Sequence, residues 1–556
     1  MADLITKVII SKNIKLDREY KNVLNFTETE MLNLLTTNTN LVAQTTKASF
    51  VNPNGSIKVP FTYSQCLQAN YIAFQNPNYS NKWFFGFIDE VIFHSKNMQE
   101  IRYTIDSWST WFSKLTIKPC FVVREHVNDD TIGLHTVDEG LDVGEVICTH
   151  EDRAFSSLLG YFYVAIATTH DPRGNGTDFS GCTIYNKNVY GTMIFFIKIN
   201  YTSTANLTSS MNTLLHFLHL TNTHKTGDLS CISEMFIVPP DIIPDSSLQE
   251  IELATGYDKI YLPSQNIQAD RLDVKIPIQK TTPSGYYVPF NNKCYCYPYN
   301  YLYVTNNSGN DNIYKYEDFN FSVTEGGVEK LVFSIFASLG VGYSGKLVPN
   351  GYKNVSFNTS EEIPLGKFPV CGWSSDAYTN YLTQQSINTP IKIAQMGGNI
   401  AMKQAQLGIS QQVGSKMIPG ISSLAMAGEV ASIIGGYENA KLLPNISHGG
   451  NTSSVDFATN DINFVFRKMR CKDEYMAIID TYFSCYGYKI NNVKIPNITG
   501  RLNFNHIQIG ENDCIGYGSV PATDFEIINK VCRRGVTIWH NHANLGDYTV
   551  QNTIVT

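Results

Sequence analysis

Residues 83–93 read Trp83-Phe84-Phe85-Gly86-Phe87-Ile88-Asp89-Glu90-Val91-Ile92-Phe93, a dense run of aromatic and β-branched side chains. Such runs are typical of β-strands, because these side chains pack well on a pleated surface. Shortly afterwards, Ile101-Arg102-Tyr103-Thr104-Ile105-Asp106 alternates apolar and polar residues with period two, as a half-buried strand does. These two runs predict strands and a β-rich fold.

Similar runs recur along the chain, separated by clusters of Asn, Gly, Pro and Ser that are typical of turns. They are Tyr161–Ala167, Thr192–Ile199, Tyr301–Val304, Leu331–Phe336 and Ile462–Phe466. Few helices are expected, and all of them short. The first is opened by the capping box Thr27–Glu30. Two more, Met211–Leu218 and Tyr475–Tyr482, have apolar residues at i, i+3, i+4 and i+7. The fourth is Phe525–Cys532, closed by Gly535. The sequence therefore predicts a mainly β fold with a few short helices.

Composition excludes several classes of protein. The 556 residues carry a net charge of −7, and only 16% of them are charged. A negative chain is a poor sequence-independent DNA binder, because phosphate binding needs clustered positive charge. We expect no secretory signal and no ordinary membrane span, since no apolar run of suitable length occurs. The twelve cysteines are scattered, and we expect them to be reduced and buried.

Residues 391–443 differ from the rest of the chain. The 12% aromatic content would give this segment about six aromatic residues, but it has only Tyr437, with 15 Gly and Ala and four of the twelve Met. Two interpretations remain open. The segment could form a pair of buried helices, although cores usually use Leu and Phe rather than Gly and Ala. Alternatively, it could be a loop that enters a membrane conditionally.

The second interpretation assigns two sets of residues. The membrane-active loop comprises Ile393, Met396, Ile400, Met402, Leu407, Ile409, Val413, Met417, Ile418, Ile421, Leu424, Met426, Val430, Ile433 and Ile434. The helix-packing ridge, a small-xxx-small pattern that permits close helix contact in lipid, comprises Ser423, Ala427, Ala431 and Gly435.

No motif predicts catalysis. Gly340–Lys346 matches two phosphate-binding patterns, but both need a following helix, which Pro349 and Gly351 prevent. Residues 124–139 hold two histidines and five carboxylates without a metal-ligand spacing, so a solvated or subunit-bridging loop is favoured over a metal or acid–base site. His540 and His542 alternate and are expected to share one face of a strand. We therefore predict no enzyme activity and no cofactor.

Motifs toward both ends of the chain carry a family resemblance. In the N-terminal part they are Phe87–Asp89, Ile101–Asp106, Trp111, Val123–Gly133, His135-Thr136, Glu139–Leu141 and Gly144-Glu145. In the C-terminal part they are Ile479–Phe483, Tyr486–Tyr488, Pro496-Asn497, Arg501, Asn505 and Gly535–His540. With these motifs the chain resembles the distal tail tube, or tail knob, proteins of small short-tailed phages of the Picovirinae type.

The resemblance implies a structural virion protein at the tail tip. It implies a β-rich body assembled as a homo-hexameric ring, attached to other tail proteins of the lower collar or upper tail tube, through which double-stranded DNA passes. A long hydrophobic loop would plug the tube and then penetrate the host cytoplasmic membrane. It also implies a structural loop containing Arg124, Glu125, His126, Asp129, Asp130 and His135.

The expected domains are 1–150 and 151–370 (both β-rich), the loop with its flanks at 371–455, and 456–556 returning to the tube. The competing hypothesis is a receptor-binding or host-adhesion tail protein without pore activity. A cell-wall hydrolase would need a paired-carboxylate or metal site that the sequence does not offer.

Overall fold

β-strands predominate in the residues that the computed structural model describes, as the sequence predicts. These residues are 6–50, 55–155, 160–168, 182–184, 187–189, 193–223, 232–238, 248–263, 271–307, 309–336, 345–365, 370–374, 463–511 and 520–555. The chain divides into two units. The first contains residues 1–145, 282–299 and 471–556, and the second contains residues 146–281 and 300–470.

The N-terminal part of the first unit forms a closed barrel. The elements in this part are β1 (Thr6–Ser11), β2 (Asn22–Leu24), α1 (Glu28–Thr36), β3 (Leu41–Phe50), β4 (Ser56–Val59), α2 (Tyr63–Gln68), β5 (Tyr71–Gln75), β6 (Trp83–Ser95), β7 (Met98–Ile105), α3 (Ser107–Trp111) and β8 (Cys120–Glu125). The barrel order is β1-β3-β4-β7-β6-β5, and β5 pairs with β1 to close it.

The aromatic stretch quoted first is a barrel strand. Residues Phe84–Phe87 of β6 are all buried, because one face packs inside the barrel and the other packs against neighbouring elements such as α3. Phe84 stacks on Phe74 of β5 with ring centroids 5.3 Å apart. A continuous apolar run is therefore explained by burial of both faces of the strand.

The second unit consists mainly of antiparallel sheets. Its elements are β9 (Val146–Arg153), β10 (Tyr161–Thr168), β11 (Cys182–Ile184), β12 (Lys187–Val189), β13 (Met193–Asn200), α4 (Thr204–Thr223), β14 (Ile232–Val238), β15 (Leu248–Ile251), β16 (Ile260–Pro263), β17 (Arg271–Pro277), β18 (Asn300–Thr305), β19 (Asp311–Tyr314), β20 (Ser322–Glu325), β21 (Val328–Phe336), β22 (Gly345–Tyr352), β23 (Val355–Phe357), β24 (Ile363–Leu365), β25 (Val370–Ser374) and β26 (Val465–Cys471).

Three larger sheets and one hairpin organise these strands. The sheet orders are β15-β16-β13-β10-β14-β25, β17-β21-β22-β23 with β20 and β24 at its sides, and β19-β18-β26-β9, and the hairpin is β11-β12. Helix α4 packs on the first sheet, where Phe217 meets Phe195 at 5.1 Å between ring centroids. Aromatic and aliphatic side chains from these elements make one continuous core.

The C-terminal part completes the first unit. Its elements are α5 (Asp473–Tyr486), β27 (Tyr488–Lys494), β28 (Phe504–Ile509), α6 (Ala522–Arg534) and β29 (Val536–Trp539). The three strands β27, β28 and β29 join β2 and β8 in a five-stranded sheet. Its order is β2-β29-β28-β8-β27, and β2 and β29 are parallel. Trp539 is fully buried and its indole N–H donates to Asn22 Oδ1 at 2.8 Å. The two ends of the chain are thus held in one sheet.

Most predicted elements are confirmed, with two corrections. Thr27 and Glu30 form the predicted capping box at α1. Helix α4, however, is 20 residues long, so it is not short. His540 and His542 do not share a strand face, because β29 ends at Trp539 and residues His542–Asn544 turn into a 3-10 helix capped by the Asn541 side chain.

Other predictions concern loops, cysteines and membrane spans. Strand β22 begins at Gly345, within the glycine-rich motif, and continues to Tyr352, so a strand occupies the place of the helix that phosphate binding needs. Six of the eight cysteines whose surroundings the structure describes are buried. Within the described ranges, no helix is both long and apolar enough to cross a bilayer.

Candidate functional site

The six residues of the structural loop follow one internal strand of the first unit. β8 lies between β28 and β27. Arg124 and Glu125 at its end, and His126 after it, are buried. Asp129 is exposed and Asp130 is partly buried. The first three residues of the cluster are therefore not solvated, because side chains and backbone from α5, β27 and the adjoining loops of the same unit cover them. The alternative of a subunit-bridging loop stays a prediction.

A buried ionic junction forms around Glu139. Its carboxylate, whose side chain is fully buried, pairs with both Arg124 and Lys293. Arg124 also donates from Nη1 to the carbonyl of Gly487 at 2.8 Å, and the Lys489 amide donates to Glu139 at 2.9 Å. We call Glu139, Arg124 and Lys293 the Glu139 triad. It ties the loop after β8 to residue 293 and to the start of β27.

Glu125 makes a second link between the same parts of the unit. Its fully buried carboxylate pairs with Lys494 of β27. It also accepts the amide of Asn497 at 2.8 Å, and the Asn497 side chain donates to the carbonyl of His126 at 2.7 Å. The carboxylate is thus satisfied by one cation and one backbone N–H, as a buried charge requires.

His126 and His506 are both held neutral. The Nδ1 atom of His126 accepts the His506 backbone N–H at 2.8 Å, and its Nε2 atom lies 3.1 Å from the Ser484 carbonyl. Burial lowers the pKa of His126 to about 3, with a smaller effect from the positive charge of Arg501. Burial likewise lowers the pKa of His506 to about 3. Neither ring can carry a proton at neutral pH, so neither serves as a general acid there.

The lowered pKa values of His126 and His506 predict that acid destabilises the first unit. The folded state keeps both rings neutral, whereas the unfolded chain takes up protons near pH 6.5, so stability is present above that pH and is lost below it. Between pH 6.5 and 5.5 each histidine should lower the free energy of unfolding by about 1 kcal/mol. Urea titrations at the two pH values, followed by tryptophan fluorescence, measure this loss.

The control for that measurement is His506→Gln, which removes one titrating ring. Between pH 6.5 and 5.5 the variant should lose about 1 kcal/mol less stability than the parent chain, even though it is less stable overall. Comparison with the parent chain cancels carboxyl groups such as Asp130, whose pKa burial raises and whose effect has the opposite sign. An unchanged pH dependence in the variant would refute the assignment.

The remaining members of the loop organise its turn. Asp130 accepts the Tyr488 hydroxyl at 2.6 Å and the Asn292 amide at 3.1 Å. Asp129 accepts from both the amide and the hydroxyl of Thr131, while the His135 ring lies 2.8 Å from the Asp129 carbonyl. Asp129 and His135 therefore shape the loop locally, and Asp130 anchors it.

Sequence reasoning did not identify Asp480, which is central to the same region. Its buried carboxylate accepts the Tyr287 hydroxyl at 2.8 Å, the Phe290 amide at 2.8 Å, and both the amide and the side-chain amide of Asn291 at 2.9 and 2.8 Å. Asp480 lies on α5, and its partners come from a segment about 190 residues earlier. No local pattern could signal such a pairing, although Ile479–Phe483 belongs to the family motifs.

The arrangement is that of a structural junction. The buried carboxylates face cations, hydroxyls and backbone N–H groups that already satisfy them. In the described part of the chain, no three His, Cys, Asp or Glu side chains are placed to bind a metal ion. The junction is therefore suited to locking loops and strands of one unit together.

The membrane-active loop and the helix-packing ridge, both within residues 391–443, lie outside the described residues. Their assignment stays a prediction. The domain boundaries proposed from the sequence also remain predictions.

Comparison with known proteins identifies the family. A protein-family model for the C-terminal domain of the Bacillus phage phi29 tail knob protein gp9 matches residues 265–553, which is more than half of the chain. The chain belongs to the phage tail knob protein family. A second model, for the N-terminus of caudoviral major tail proteins, matches residues 5–116 and thus includes the barrel.

Individual tail knob proteins match over most of their length. The chain is 24% identical to tail knob protein gp9 of Bacillus phage phi29, over 99% of this chain and 98% of that protein. It is also 24% identical to tail knob protein gp9 of Bacillus phage B103, over 90% of each. The structure of the bacteriophage C1 tail knob protein gp12 superposes with a TM-score of 0.62 at 13% identity, covering 99% of this chain and all of that one. A tail knob protein is a structural component of the virion tail.

Proposed function

We propose that this tail knob protein forms a hexameric conduit at the tail tip, and that residues 391–443 plug it and then penetrate the host cytoplasmic membrane. DNA would be ejected through the lumen. The protein has no enzymatic role in this proposal and acts with other tail proteins.

The observation that carries the proposal is the composition of residues 391–443. They lie within the stretch matched by the tail knob family model, yet they contain one aromatic residue where the chain average gives about six. Between Met417 and Tyr437 only Glu429 is charged. Several copies of such a marginally apolar segment can pair their polar faces around water in a bilayer, which one copy cannot do alone.

The overall charge supports passage of DNA. A conduit must let DNA slide, and clustered positive charge would retain it through its phosphates. The chain's net charge of −7 disfavours such retention. Its low content of charged residues, 16%, suits subunits whose flanks are buried in a ring.

Electron microscopy tests the assembly part of the proposal. Negatively stained, purified full-length protein should show rings with six-fold symmetry. A preparation that contains monomers only, at concentrations where other tail components assemble, would count against the hexameric conduit.

Liposome leakage tests the membrane part separately. A synthetic peptide of residues 391–443 should release dye from liposomes, and Asp at Met396, Met402, Met417 and Met426 should suppress the release, because a charge in the bilayer core costs about 2.5–3.5 kcal/mol per residue. Leu at the same four positions is the matched control and should retain the release. An inactive parent peptide would reject membrane penetration by this segment.

A further inference from the structure

The first unit contains a cavity of about 440 Å³ beside the ionic junction. Its wall is formed by His126, by Tyr287, Phe290 and Asn291, by Asp480, Thr481 and Ser484 of α5, by Arg501, and by the C-terminal stretch 548–552. This volume lies within the range of small-molecule sites, which are usually concave with a few convergent polar groups. The proposed conduit function gives this cavity no role.

Arg501 is the unusual group in the cavity wall. The residue is only 5% exposed. Its guanidinium makes one hydrogen bond, from Nη1 to the Asn552 carbonyl at 3.3 Å, and its Nε has no partner among the described residues. None of the described carboxylates lies within 4 Å of it as an ion-pair partner. Burying a cation without such a partner costs several kcal/mol.

The two nearby carboxylates are engaged elsewhere. Both oxygens of Asp480 accept hydrogen bonds from N–H and O–H groups of Tyr287, Phe290 and Asn291, and Oδ1 also lies 3.9 Å from the Cys294 thiol. Asp130 is held by Tyr488 and Asn292. Burial lowers the pKa of the Arg501 guanidinium from its ordinary value, and attraction by Asp130 offsets only part of this effect. The positive charge in the wall is therefore incompletely compensated.

We propose that this cavity binds a small oxyanion of the carboxylate or phosphate class, held by Arg501. A guanidinium presents several N–H donors in a planar fork that matches the oxygens of such an anion. The aromatic side chains of Tyr287, Phe290 and Tyr548 in the wall can accommodate an apolar part of the ligand. Binding would supply the negative charge that Arg501 lacks and would hold the C-terminal stretch against α5.

Equilibrium binding to the full-length protein tests the proposal. Inorganic phosphate and acetate are titrated in parallel at fixed pH, with sodium chloride adjusted to keep the ionic strength constant. At least one of them should bind saturably, with one site per chain. Phosphate alone would assign a tetrahedral ligand and acetate alone a planar one, and failure of both would overturn the proposal.

Two variants locate the site. Arg501→Lys keeps the charge but loses the fork, and should weaken binding about tenfold or more, as loss of a charged hydrogen bond does. Arg102→Lys is the matched control, since Arg102 is exposed on the barrel and pairs with Glu90. This control should bind as the parent chain does.

The second variant, at Thr481, tests the location of the site even if Arg501→Lys fails to fold. Thr481 lines the cavity from the exposed side of α5, where its hydroxyl donates to the Ala477 carbonyl. Thr481→Glu places a negative charge in the wall and should weaken oxyanion binding severalfold by repulsion, whereas Thr481→Gln should not. Equal affinities in Thr481→Glu, Thr481→Gln and the parent chain would show that the anion binds elsewhere.

Discussion

Glu139→Gln should lower the free energy of unfolding of the first unit by about 3–5 kcal/mol, the range typical of removing one partner from a buried ion pair. The Glu139 side chain is fully buried, and its carboxylate pairs with Arg124, 9% exposed, and with Lys293, 2% exposed. The amide cannot neutralise either cation, so two charges would remain buried without a counter-ion. The Lys489 amide would also lose a charged acceptor.

Urea denaturation of the full-length protein measures this loss. Four of the five tryptophans, Trp83, Trp108, Trp111 and Trp539, lie in the first unit, so tryptophan fluorescence reports mainly on its unfolding. The matched control is Glu145→Gln, which breaks an ion pair with Lys472 in which Glu145 is 60% exposed. An exposed pair contributes about 0–1 kcal/mol. Equal effects of the two substitutions would mean that the Glu139 triad is not a stabilising junction.

Gly487→Ala should destabilise the same unit by about 2–6 kcal/mol, since backbone strain and steric overlap each cost about 1–3 kcal/mol. Gly487 ends α5 with φ +68° and ψ −157°, a conformation that is accessible almost only to glycine. A Cβ atom there would lie 2.5 Å from the His126 amide nitrogen and still closer to the Glu125 carbonyl. The substitution would push β27 away from β8 and disturb the bond from Arg124 to the Gly487 carbonyl.

Gly140→Ala separates backbone strain from steric overlap. Gly140 has φ +70°, but a Cβ atom there would meet no other atom within 4 Å. It should therefore cost only about 1 kcal/mol, the penalty for placing a side chain in the left-handed region. If both alanine variants lost the same stability, the close packing of Gly487 against residues 125–126 would not be a determinant of the fold.

The strands of the barrel could be predicted because their signal is local. In β6 the signal is a continuous apolar run, and in β7 it is alternation, and both reflect burial against immediate neighbours. The capping box at α1 is equally local, since Thr27 and Glu30 are three residues apart. Such features are visible in one sequence without knowledge of the tertiary structure.

The junction could be predicted only in part, because its contacts are remote in sequence. The charged cluster is recognisable in the sequence, but nothing local shows that α5 and β27 cover Arg124, Glu125 and His126. Glu139 and Lys293 are 154 positions apart, and Asp480 and Phe290 are 190 apart. The alternation of His540 and His542 was misleading, since two alternating residues also fit a short turn and the Asn541 cap favours one.

Infection by virions with Asp at all four methionines of residues 391–443 tests the central proposal most directly. Particles with Leu at Met396, Met402, Met417 and Met426 serve as the control. The proposal predicts that the Asp particles adsorb to cells as well as the control but fail to deliver DNA into the cytoplasm. Normal DNA delivery by the Asp particles would contradict a membrane-penetrating role. Loss of adsorption would contradict it too, and would favour the receptor-binding alternative.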